Sequence, residues 1–227
     1  MKSIPLEICC YTENSALSAQ KYGASRIEYC SKLLQGGLTP STDSIIRLRK
    51  KISIPFYCII RPRGGNFIYS KEEFLTIRQS LLEIKLMGVD GFVLGLLNSN
   101  SQVEKSRCLE LVELAYPLPL TFHKAFDEVN NPFEALEDLV QLGFSKILSS
   151  GQRNTALEGK VLLRELIKKA GDRITVMPGG GIRFSNIQEI LEFTNASEIH
   201  SSAISINNLE QADPKEIQKM VFFLNPG

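Results

Sequence analysis

Apolar positions along this chain fall into short runs separated by longer amphipathic segments, and the two kinds alternate from end to end. Eight runs read as strands: Leu6–Cys10, Arg26–Cys30, Phe56–Arg61, Gly91–Leu94, Leu120–His123, Lys146–Ser149, Ile174–Met177 and Glu198–Ser201. Between them the spacing turns helical and start signals appear. Ser70 with Glu73, Thr155 with Glu158 and Ser185 with Gln188 read as capping boxes. Asn131-Pro132 and Asp213-Pro214 read as an N-cap followed by proline in the first turn. Gly23, Gly88 and Gly143 follow helical runs, where a left-handed C-cap is wanted.

Three junctions share one form, helix end, glycine, short turn, strand: Gly23 to Ile27, Gly88 to Phe92 and Gly143 to Ile147. Repeated strand–helix units imply a parallel sheet. Eight of them in 227 residues fit a single closed (β/α)8, TIM-like barrel over residues 1–227. A Rossmann-like open sheet fits less well, because no strand is followed by G-x-G-x-x-G opening a helix. No linker or low-complexity stretch divides the chain.

Composition narrows the function without choosing it. The chain is 43% hydrophobic and 22% charged, an ordinary globular balance. Its formal net charge of +1 is spread evenly, so neither a nucleic-acid footprint nor a membrane-surface patch is expected. No apolar run reaches the roughly 18 residues of a membrane span. Met1–Pro5 lacks an apolar signal region, so the cytoplasm is the expected compartment. Five cysteines without a CxxC pair argue against a disulfide framework and a structural zinc site. No exposed apolar stripe marks a partner-binding face.

The chemistry concentrates at strand ends, where such barrels keep their sites. The first two runs end alike: Leu6-Glu7-Ile8-Cys9 and Ile27-Glu28-Tyr29-Cys30 both read apolar-Glu-x-Cys. Alternation puts Glu7 with Cys9, and Glu28 with Cys30, on one face. Level thiols on neighbouring strands are within reach of a linear Cu(I), which thiolates favour, or of a reversible disulfide; inert core thiols are the plain alternative. Glu7 and Glu28 either pair with Arg61 or Arg63 inside the barrel or serve as general acid and base. Arg61 and Arg63 offer guanidinium forks for carboxylate or phosphate. Gly179, Gly180 and Gly181 follow the seventh strand, where barrels often bind phosphate. His123, near Lys124 and Asp127, and His200 are the two histidines, and both fall on the same rim. Cys10 and Cys58 sit in apolar runs and read as core.

These motifs, in this order, resemble the CutC copper-homeostasis family over about residues 5 to 203. The resemblance rests on Leu6–Cys9, Ala24–Cys30, Gly36–Ser41, Ile60–Ser70, Thr121–Asp127, Ser149–Gly151, Ala156–Gly159, Met177–Gly181 and His200–Ala203. It implies a TIM-like barrel, a cytosolic protein, copper handling, and Cys9 and Cys30 as Cu(I) ligands. Self-association into a homo-oligomer, a dimer first, is also implied. Tyr11, Asn66, Lys124 and Ile204 depart from the family's usual residues. Two functions therefore stand: Cu(I) binding with Glu7, Glu28 and His123 in support, or an enzyme acting on a small anionic or phosphorylated metabolite. In the second, Glu28, His123 and Glu7 are catalytic, and Arg61, Arg63, Asp127, the three glycines and His200 bind the substrate.

Overall fold

The computed structural model of the protein describes residues 3–205 and 208–225. The strands β1 (Leu6–Cys10), β2 (Arg26–Tyr29), β3 (Phe56–Ile59), β4 (Gly91–Leu94), β5 (Leu120–Phe122), β6 (Lys146–Ser149), β7 (Thr175–Pro178) and β8 (Ile199–Ser201) form one sheet. Their order is β7-β6-β5-β4-β3-β2-β1-β8, and every pairing is parallel. β7 and β8 lie side by side without ladder hydrogen bonds, so the barrel is nearly closed with a seam between them. Outside it pack α1 (Glu13–Lys21), α2 (Thr42–Arg49), α3 (Lys71–Lys85), α4 (Lys105–Ala115), α5 (Pro132–Leu142), α6 (Lys160–Ala170), α7 (Phe184–Thr194) and α8 (Pro214–Leu224).

Local signals explain most helix starts. Ser70 and Glu73 form the expected reciprocal box on α3. Asn131 caps α5 by accepting from the N–H groups of Phe133 and Glu134, and Asp213 caps α8. Two signals act differently. Thr155 caps one isolated turn, and α6 begins only at Lys160. At α7 the Asn186 carbonyl takes the Arg183 N–H and the Glu216 carboxylate takes the Phe184 N–H, so Ser185 is not the cap. Three strands, β2, β3 and β5, end a residue or two before expected, which leaves Cys30, Arg61 and His123 in the loops just above them. A short antiparallel hairpin of β9 (Ile204–Ser205) and β10 (Asn208–Ala212) follows β8. α3 exposes Leu75 and Leu82, with Leu86 beyond its end, a stripe that the polar character of this helix masks in the sequence.

The outward strand faces are apolar and pack beneath the helices, as both faces of a parallel sheet must be covered. One layer of the inward face carries charge where branched aliphatics are usual. Register opposes Glu7 to Arg26, Tyr57 to Gly91, and Thr121 to Lys146. Arg26 lies over the Tyr57 ring at 4.9 Å and pairs with Glu7 and, at 2.9 Å, with Glu198. Lys146 completes the layer on Glu198 at 2.6 Å. A Cβ on Gly91 would stand 2.7 Å from the Tyr57 ring, so glycine makes the room for it. We expect Gly91→Ala to cost about 1–3 kcal/mol as an overpacked core does; equal urea midpoints for parent and variant would contradict this.

Candidate functional site

Above the charged layer, at the C-terminal ends of the strands, lies a cavity of about 90 Å³. Cys9, Glu28, Cys30, Arg61, His123 and His200 line it, together with Tyr11, Ile59, Phe67, Leu148, Lys124 and Gly36. The ladder sets Cys9 opposite Glu28, so Cys30 stands two residues further along and the thiols are not level. Their side chains nevertheless converge, with Sγ to Sγ at 3.5 Å, and both cysteines are free and buried. One oxygen of Glu7 lies 2.7 Å from His200 Nδ1, and its other oxygen meets Arg26. Glu28 is 3.7 Å from His200 Nε2.

Charge alternates through this cluster. The hydrogen bond from Cys30 holds the Cys9 thiol down at about 5; burial opposes this, and His200 and Tyr11 add hydrogen bonds. Burial and the neighbouring Cys9 push Cys30 up, so it keeps its proton and donates. Burial would lower His200, but Cys9, Glu7 and Glu28 lift it to about 10. Burial would raise Glu7, yet the Arg26 guanidinium and His200 hold it at about 2. Glu28 is pushed well up, first by burial and then by the charge on Cys9. The resulting order is carboxylate on Glu7, imidazolium on His200 and thiolate on Cys9, beside the Cys30 thiol.

The opposite wall is a second unit. His123 Nδ1 accepts from the Ala125 N–H at 3.2 Å, so its proton resides on Nε2. That Nε2–H is buried and has no partner among the described residues. The Arg61 guanidinium, 6% exposed, lies over Phe67 at 4.8 Å. Its Nη1 donates to the carbonyls of Gln35 and Gly36 at 3.0 Å, and its Nη2 to that of Gly65 at 2.8 Å, while Nε has no partner. Each orphan N–H costs about 1–3 kcal/mol. Burial first, and then Arg61, lowers His123 to about 3. A base with a depressed folded pKa loses stability as pH falls from its unfolded value of 6.5 toward 3, by up to about 1.4 kcal/mol per pH unit. We therefore expect a His123→Gln variant to show a shallower acid limb than the parent in urea unfolding between pH 7 and 5; parallel curves would contradict this.

Several expected partners are elsewhere. Glu7 pairs with Arg26 and not with Arg61 or Arg63, because inward neighbours are set by the ladder. Arg63 turns out of the barrel to Glu73 at the start of α3 and to the carbonyls of Asn66 and Ile68. The Asp127 carboxylate is filled by Ser149 Oγ, Lys124 and the N–H groups of Ser150 and Gln152, and it orders a loop off the cavity. Gly179 backs onto Leu148 and His200. Gly180 and Gly181 are tied through their carbonyls to Ala156 and Asn186. The Glu216 carboxylate already occupies the α7 N-terminus, which opposes phosphate there. Phe67, Tyr11 and Leu148 complete the cavity; Phe67 lies in the same loop as Arg61, and an aromatic a few residues beyond an inward arginine was its one signal.

Fold and site together define a (β/α)8 barrel with a thiol-bearing pocket at its C-terminal rim. The chain belongs to the CutC family, whose sequence model matches residues 4–205. It is 47% identical over 200 residues to a copper homeostasis protein cutC homolog of Mus musculus, covering 88% of this chain and 74% of the relative. A family protein CutC of Chromobacterium violaceum is 43% identical over 198 residues, covering 87% and 80%. The solved structure of a CutC protein from Streptococcus agalactiae superposes with a TM-score of 0.83 at 33% identity, covering 89% of this chain and all of that one.

Proposed function

We propose that this protein is a cytosolic Cu(I)-binding protein of copper homeostasis, with Cys9 and Cys30 as the ligands. The observation that carries this reading is the pair of buried free thiols with sulfurs 3.5 Å apart. Thiolates are what a soft monovalent metal selects. The fit needs one adjustment. At a metal–thiolate bond of about 2.3 Å, a linear two-sulfur ion needs sulfurs about 4.6 Å apart, so the thiols must open by about 1 Å. The alternative is a bent site with a third donor. Glu28 supplies one, since its carboxylate and the two sulfurs lie within 4.8 Å of one another.

Supporting groups are in place. Glu7 fixes the orientation of His200, and the charge on His200 favours the Cys9 thiolate. The copper named for the mouse relative agrees with this reading. No helix among the described residues is long and apolar enough to cross a membrane. An anaerobic Cu(I) titration against a competing chelator tests the proposal. One tightly bound ion per chain, absent in Cys9→Ser/Cys30→Ser, supports it; equal weak binding by both proteins sinks it.

A further inference from the structure

Copper does not account for the other half of the cavity. Arg61 is a buried guanidinium, and among the described residues no carboxylate pairs with it; its partners are carbonyls and the Phe67 ring. A cation removed from water without a counter-charge is costly. On the same wall His123 offers a buried N–H with no acceptor. Ile59, Phe67 and Leu148 supply an apolar surface around these two donors. A two-thiolate metal site uses none of this.

We propose that the Arg61–His123 wall binds a small organic carboxylate, with its oxygens accepting from Arg61 Nε–H and His123 Nε2–H and its carbon skeleton against Ile59, Phe67 and Leu148. This sharpens the reading of the rim as an anion site and is independent of the copper proposal. Donor geometry selects carboxylate over phosphate. The Nη groups of Arg61 are spent on loop carbonyls, which leaves Nε as its one unpartnered donor instead of a fork. Lys124 is likewise engaged by Asp127 and Ser150. Two single donors match the oxygens of one carboxylate, or a carboxylate and an adjacent carbonyl, whereas a phosphate would leave most of its acceptors unmet. The small cavity fits a short skeleton.

Pyruvate is a suitable probe, with lactate and acetate beside it and inorganic phosphate as the competing class. Isothermal titration of the metal-free full chain is expected to show saturable one-to-one binding of pyruvate. His123→Phe keeps the ring's bulk, removes the donor, and should weaken binding at least about tenfold, the loss of one hydrogen bond to a charged group. Because the titration uses the metal-free chain, failure here and failure of copper binding are told apart. Should His123→Phe not fold, the imidazole ¹⁵N resonances of the parent give a second readout, and His123 Nε2 is expected to move on adding pyruvate. No saturable binding of the three carboxylates, equal affinity in His123→Phe, an unmoved His123 signal, or tighter binding of phosphate would each overturn the proposal.

Discussion

Replacing Arg26 by methionine is expected to destabilise the protein by about 3–5 kcal/mol, the usual effect of removing one partner from a buried ion pair. Glu7 is 1% exposed, and Arg26 is the nearest cation on its ladder neighbour. Without the guanidinium, Glu7 keeps only His200 and Glu198 only Lys146 among the described residues. The expected fall in melting temperature is roughly 10 °C for a chain of this size. Glu7→Gln removes the other member. The double variant Arg26→Met/Glu7→Gln should lose less than the two singles added together, by about 0.5–3 kcal/mol of coupling. Additive losses would show that the pair is not the source of the effect.

The second large effect concerns the metal. Cys9→Ser/Cys30→Ser should lower Cu(I) affinity by more than about a hundredfold, since substitutions behind a ligand already cost 10–100-fold. Glu7→Gln, which acts on Cys9 only through His200, should fall within that smaller range. Affinity in the parent should rise with pH. Cys9 is already a thiolate near neutrality, but the Cys30 thiol, held up by burial and by Cys9, must lose its proton to ligate. One released proton corresponds to about a tenfold gain per pH unit. A pH-independent affinity would mean that Cys30 does not bind as a thiolate.

Much of this architecture was legible in the sequence because its signals are local. Strand–helix alternation and the glycine junctions required only short windows, and apolar-Glu-x-Cys gave the shared face of Glu7 and Cys9 through simple alternation. What escaped was whatever the shear between strands decides. Which cation meets an inward Glu7 depends on the register with β2, and Arg26 opens that strand without any motif of its own. The two-residue offset of Cys30 from Cys9 is equally invisible in either segment alone. Arg63 and Arg61 read alike in Arg-Pro-Arg, yet Glu73 draws one outward while loop carbonyls hold the other in. The exposed apolar stripe was missed for another reason: Leu75 and Leu82 lie among charged residues on α3, and only the packed helix shows which face stays outside.

Arg61 is also a latch. One of its terminal nitrogens grips residues 35 and 36, after β2, and the other grips residue 65, after β3. Neither loop can swing away without stranding the same cation in a dry setting. The two loops therefore share one opening free energy and form a single unit of local unfolding, although they are about thirty residues apart in the chain. Entry to the pocket by that route is one cooperative event instead of two independent fluctuations, and an anion that neutralises the guanidinium would reset its frequency.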